Sequence, residues 1–268
     1  MSKNYITILS IPLNKLTRKE ASEKFVNFCN GKKQVFTSTP NAEIILEAQK
    51  NEKLKKYLQE CELNMADSVS LLWASMVQKF NWSYFRAILE LLFLPFRKHS
   101  WNKILPEQVC GSDVFYDICK EAENKNKSIF LLGASEGVAE KTKNIIQKKY
   151  PKLKIVGAIA GSPLEKDDEL MIDEINKSKP DILFLAYGCP KQEMWIYRNL
   201  KKCTSVYVAC GIGGTFDFVI GKIKRAPKII RSLGFEWLWR LIQEPKRFKR
   251  IFRAVFVFPY IFLKNLKK

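Results

Sequence analysis

Asp67, in the string NMADSVSLLWAS, follows a short apolar run and precedes a helical pattern. A carboxylate at that junction has two readings: a favoured helix N-cap, or a general base at the edge of a sheet. Other chemically able groups sit at similar junctions. GASEG (133–137) and GIGGTFDF (211–218) each follow an apolar run and can turn backbone amides toward a diphosphate. Gly133, Gly211 and Gly213 permit close approach there, and Asp217 either caps a tight turn or meets a ligand. His99, in RKHSW, is the one histidine and reads as part of a solvated loop. No multi-histidine metal site can form, and no Ser-His-Asp triad unless His99 serves. Acid–base work falls to carboxylates, and phosphate binding to Arg, Lys, backbone amides and helix ends.

The elements that must position these groups alternate along residues 1–221. Apolar runs at 5–9, 34–36, 63–66, 128–132, 153–158, 181–187 and 205–210 read as strands. Several are nearly continuous, as strands covered on both faces should be. Helical patterns at 17–29, 41–59, 113–124, 136–149, 168–178 and 191–201 lie between them. This alternation predicts an α/β fold, a Rossmann-like mostly parallel sheet with helices on both faces. The segments STPN, ADS, GASEG, GCPKQE and CGIGGTFD all follow strands. In an open α/β sheet that edge is where ligands bind.

Charge marks a different region. The 268 residues carry a net charge of +19, which calls for an anionic partner. Residues 222–268 hold fourteen basic and two acidic residues, hence twelve of those nineteen charges, interleaved with nine aromatics. This stretch is expected to form a helical, basic appendage that docks on an anionic membrane. A second segment, 76–104, interrupts the alternation with YFRAILELLFLPF (84–96) between basic flanks. It reads either as a core helix or as an interfacial helix. The N-terminal apolar run is too short for a signal peptide, and no run of about 18 apolar residues suggests a spanning helix. Seven cysteines without a CxxC pair fit a reducing compartment.

Together these strings resemble the WecG/TagA/CpsF family of glycosyltransferases. The carriers are TPNAEI (39–44), the Asp67 segment, GSD (111–113), LLGASEGVAEK (131–141), INKSKPDILFLAYGCPKQEMWI (175–196), CGIGGTFDFVIGKIKRAP (210–227) and FEWLWRLIQEPKRFKR (235–250). The resemblance implies an inverting transfer, without metal or other cofactor, from a UDP-sugar to a sugar on a polyprenyl diphosphate. The setting would be the cytoplasmic face of the membrane, in teichoic acid or surface polysaccharide synthesis. It implies Asp67 as the base that deprotonates the acceptor, Thr39 and Asn41 as a polar pair beside it, and Gln192 near the substrate. It also implies that Arg240, Arg247 and Arg250 hold the diphosphate, a role that suits cations where no metal is used.

Three positions depart from the family pattern. Ser68 stands where a glycine is usual, and Gln108 where an arginine is usual, with Lys103 the candidate to replace its phosphate contact. The 76–104 segment is longer than the usual linker. Two other readings compete: a basic Rossmann-like nucleic-acid-binding protein, and a catalytically idle membrane scaffold. The clustering of the charge on an aromatic tail argues against nucleic acid, and homo-oligomerisation is left open.

Overall fold

The computed structural model describes residues 4–93 and 98–266, without the side chains of Lys98 and His99. The end of the 84–96 segment, the solvation of His99 and the last two lysines of the tail lie outside the described residues. The predicted α/β architecture is present: a six-stranded parallel sheet in the order β4-β3-β8-β7-β5-β6. Its strands are β3 (Val35–Ser38), β4 (Leu63–Asn64), β5 (Ser128–Gly133), β6 (Lys154–Ile159), β7 (Ile182–Ala186) and β8 (Val208–Gly211).

The continuous apolar runs are explained by a core on each face of this sheet. Phe130, Leu132, Leu183, Leu185 and Ala209 point into one core, shared with helices Ala42–Ala48, Glu52–Glu60, Val69–Phe80 and Lys191–Asn199. Ile129, Leu131, Ile182, Phe184, Val208 and Cys210 point into the other, shared with helices Arg18–Asn27, Gly111–Asn124 and Val138–Lys149. Alternation along a strand therefore divides two apolar sets, where a half-exposed strand would divide apolar from polar. On the second face Phe184 stacks on Phe25 at 5.6 Å and meets Phe115 edge-on at 5.1 Å.

Local differences from the sequence reading have local causes. The run at 5–9 is not a strand of the main sheet. β1 (Tyr5–Ile8) pairs antiparallel with β2 (Ile11–Asn14) in a separate hairpin, turned by Leu9 and Ser10 in the left-handed region. The helical pattern at 41–59 is two helices, because Asn51 caps a fresh start by accepting the Leu54 amide at 3.1 Å. The first of them, Ala42–Ala48, is capped by Asn41, which accepts the Ile44 amide at 3.0 Å.

The basic tail is helical and is built onto the core. Helices Lys228–Ser232, Glu236–Gln243 and Phe248–Phe252 lead through a π-helical turn, Arg253–Val257, to helix Phe258–Leu266. Phe258, Phe262 and Leu263 are buried in the first core, with Phe262 edge-on to Trp73 at 5.6 Å. Helix Tyr84–Leu92 lies alongside: the Tyr84 hydroxyl donates to the Leu263 carbonyl at 2.7 Å, and Trp73 Nε1 donates to the Ala87 carbonyl at 3.0 Å. Among the described residues no helix is long and apolar enough to cross a membrane. Phe262→Ala is expected to cost about 3–5 kcal/mol in urea unfolding, as for other buried Phe truncations. Phe252→Ala, on the exposed side of the tail, should stay within about 0.5 kcal/mol of wild type.

Candidate active site

The carboxyl ends of β3, β4, β7 and β8 open on a cavity of about 480 Å³, which the tail closes from the other side. Asp67 stands in its wall just past β4, and its backbone is pinned to two neighbouring segments. The Asp67 amide donates to the Pro40 carbonyl, and the Ala66 carbonyl accepts the Val109 amide, both at 2.9 Å. The carboxylate accepts the Gly111 amide at 3.0 Å. Gly111 begins helix Gly111–Asn124, so this amide has no partner within its own helix and carries the positive end of the helix dipole. Asp67 thus serves the N-terminus of a distant helix, while Ser68 takes the cap position of the helix that follows it.

This placement sets the proton affinity of Asp67. Removal from water, the largest influence, pushes it up to about 7, and the charge of Glu236 adds to that. The Gly111 amide, the Cys110 thiol and the charge of Arg225 pull the other way. Burial holds the Cys110 thiol well above its ordinary value, so it remains protonated and donates. A carboxylate tuned near neutrality can accept a proton from a hydroxyl in a transition state.

The expected neighbours are present. Thr39 and Asn41 line the cavity beside Asp67. A Cβ at Gly111 would lie 3.1 Å from Thr39 Oγ1 and 3.5 Å from Asp67 Oδ2, so glycine there lets the three groups converge. Gln192 is buried, and its Oε1 accepts two amides: Gly188 after β7 at 3.1 Å and Gly213 after β8 at 3.0 Å. It fastens the two loops together, and its Nε2 donates to the buried Glu193 at 2.9 Å. Gly211 makes room for that clamp, since a Cβ there would come within 2.5 Å of Gln192 Nε2. Gly213, at φ +53, and Asp217, paired with Lys222 at 3.3 Å, line the cavity. Gly133 does not. It ends β5, on the side of β7 away from β3 and β4, and presses on the Ala186 backbone.

The tail brings cations to the same space. Arg240, Arg247 and Arg250 all line the cavity, each tied to a carboxylate. Arg240 reaches Glu244 at 2.9 Å and lies over the Phe218 ring at 4.7 Å. Arg247 reaches Glu244 at 3.6 Å, and Arg250 holds both oxygens of Glu43 at 2.7 and 2.9 Å. Burial, and then the charges of Arg240 and Arg250, hold the Arg247 guanidinium below its ordinary value. Such a crowded set of cations favours an anion.

Arg225 was not among the residues singled out from sequence. It donates to Ser112 and, at 2.7 Å, to Asp113, and it pairs with Glu236 at 3.2 Å. It brings a guanidinium to the GSD element, whereas Lys103 is exposed and does not line the cavity. The signal was the KRAP end of the 210–227 string, whose arginine was given no role. Gln108 instead donates to the Cys110 sulfur at 3.2 Å. Ser68 needs no glycine, because its backbone is extended at φ −164.

The chain matches the model of the Glycosyl transferase WecG/TagA/CpsF family over residues 6–92 and 96–268. It belongs to that family. Three relatives share the name N-acetylglucosaminyldiphosphoundecaprenol N-acetyl-beta-D-mannosaminyltransferase. The Bacillus subtilis (strain 168) protein is 37% identical over 150 residues, 56% of this chain and 57% of that relative. The Bacillus spizizenii (strain ATCC 23059 / NRRL B-14472 / W23) protein is 30% identical over 221 residues, 82% and 75% of the two chains. The Staphylococcus aureus (strain MW2) protein is 26% identical over 265 residues, 98% and 94%. The match to the B. subtilis relative therefore spans just over half of that protein's length.

In this WecG/TagA/CpsF member the raised Asp67 sets a stability signature. Unfolded, the carboxyl titrates near 3.8; folded, near 7. The stability that its protonation contributes is complete below the lower value and is lost as pH rises through the higher one. Asp67→Asn, which keeps an oxygen for the Gly111 amide, is expected to flatten this dependence and to melt above wild type at pH 8. Thermal melts of both proteins from pH 5 to 8 check it.

Proposed function

We propose that the chain moves an N-acetylmannosamine-like sugar from a UDP-linked donor to the sugar of a polyprenyl-diphosphate acceptor, with inversion at the anomeric carbon. The observation that carries this reading is Asp67, a carboxylate near neutrality held in a cavity whose opposite wall is arginine-rich. The relatives are named for mannosaminyl transfer to an N-acetylglucosaminyl-diphosphoundecaprenol, and the same acceptor class is proposed here.

In the proposed reaction Asp67 takes the proton of the acceptor hydroxyl as its oxygen bonds to the anomeric carbon. The bond from that carbon to the UDP oxygen breaks on the opposite side, which inverts the centre. Charge that gathers on the departing diphosphate is met by guanidinium groups of Arg240, Arg247 and Arg250, without a metal. Glu43 and Glu244 hold those groups until a diphosphate competes for them. Thr39 and Asn41 orient the acceptor, and Gln192 keeps the strand-end loops in register. The exposed aromatics of the tail, Phe248, Phe252, Phe256 and Tyr260, dock the enzyme peripherally on the cytoplasmic leaflet, where the acceptor lipid resides.

Asp67→Asn is expected to lower transfer from a UDP-sugar to a short-chain lipid-diphosphate acceptor by roughly 10²–10⁴, the usual scale for a lost general base. The wild-type rate should rise with pH along a limb centred at about 7, as Asp67 ionises. Full transfer by that variant, or a rate independent of pH from 5 to 8, would remove Asp67 from the mechanism. Arg247→Ala should lower kcat/KM by about 10²-fold, in line with the loss of a charge-assisted hydrogen bond in the transition state.

A further inference from the structure

Helix Tyr84–Leu92 has two unlike sides. Ala87 and Glu90 are buried, and Glu90 accepts the Trp101 indole N–H at 3.1 Å. The other side bears Phe85, Ile88 and Leu92, which are 73%, 49% and 70% exposed, and Phe93 just beyond the helix is 54% exposed. The spacing of these residues places them on one face of a helix. Phe80, at the end of the preceding helix, is exposed as well. So many large apolar side chains turned outward on one short element mark a surface with an occupant.

Two observations select the occupant. One is position. Tyr84 is hydrogen-bonded to Leu263 of the terminal helix, so helix Tyr84–Leu92 adjoins the end of the tail, whose preceding turns carry Phe248, Phe252 and Phe256 as a ladder of rings 6.0 and 5.2 Å apart. The other is charge. Lys79, Arg86 and Lys264 stand on the same three helices, and Arg86 spreads over the Trp82 ring at 4.6 Å. An apolar ridge flanked by cations complements an anionic leaflet, with side chains in the acyl boundary and charges among the headgroups.

We propose that helix Tyr84–Leu92 is a second lipid-contacting element, which inserts Phe85, Ile88 and Leu92 into an anionic leaflet beside the tail. This rests on the proposed reading only in that a lipid acceptor gives the enzyme reason to sit on a bilayer. Two contact elements fix more than distance from the membrane. They also fix the rotation of the enzyme on its surface, and so the direction in which the cavity faces.

The test is co-sedimentation of the full chain with phosphatidylglycerol vesicles, with phosphatidylcholine vesicles in parallel. Phe85→Gln, Ile88→Gln and Leu92→Gln combined are expected to weaken binding to the anionic vesicles by about tenfold or more, as for loss of an inserted apolar face. The melting temperature, and transfer to a water-soluble short-chain acceptor, should stay at wild-type levels. Single Phe85→Gln and Leu92→Gln variants, each losing part of the effect, cover the case in which the triple variant does not fold. Unchanged vesicle affinity would overturn the proposal. So would a wild-type dimer in sedimentation velocity that the triple variant converts to monomer without loss of vesicle affinity, because a second copy would then cover the face. Transfer and vesicle binding measured together on Asp67→Asn separate the two readings: if that variant transfers sugar and sediments with the vesicles as wild type does, the catalytic reading fails and the lipid contact stands.

Discussion

A carboxylate taken out of water must be given hydrogen bonds or give up its charge, and the carboxyl-end edge of the sheet is arranged around that constraint at Asp67. The Gly111 amide is unsatisfied within its own helix, and Asp67 is the acceptor it lacks. Each solves the other's problem only partly, which leaves the acid near 7 instead of near 4. Much else follows. Residue 111 must be small, Thr39 must lie against it, and β3 and β4 must end together so that the Asp67 amide can reach Pro40. One incompletely settled contact thereby connects the termini of two strands with the start of a helix.

The arginine side is settled differently. Its guanidinium groups are not left bare: Glu43, Glu244, Asp113 and Glu236 each hold one or more of them. These pairs keep a dense set of cations soluble and ordered. The diphosphate proposed as ligand would bring more negative charge than any single carboxylate, and would displace the pairs in turn with little movement of the side chains. Order is imposed in advance, and in the proposed reading the substrate exchanges one partner for another.

The sheet was readable in the sequence because strands covered on both faces leave uninterrupted apolar runs, as at 128–132 and 181–187. The hairpin β1–β2 was not, because two four-residue strands and a left-handed turn at Leu9 and Ser10 carry no glycine to announce them. The site was half readable. Strand ends pointed to Thr39, Asn41, Asp67 and Gly213, but the same rule also selected Gly133, since position after a strand does not say which strands stand beside each other. Gln192 reads in sequence as a polar helix residue, and its role as a two-loop clamp depends on a fold that brings the ends of β7 and β8 together. Arg225 escaped notice because a basic run shows its charge and conceals its partners.

Helix Phe258–Leu266 buries one side, with Phe258, Phe262 and Leu263, in one of the two cores, and the segment just before it roofs the cavity. Partners in this assembly, such as Glu43 and Arg250 or Trp73 and Phe262, stand at opposite reaches of the chain. Contacts of such long sequence separation must each meet the entropy cost of closing a long loop. During synthesis the strands and Asp67, all within residues 1–211, are made before the segment that carries Arg225, Arg240, Arg247 and Arg250. The cavity gains the arginines of its wall only when segment 222–266 has been made and docked.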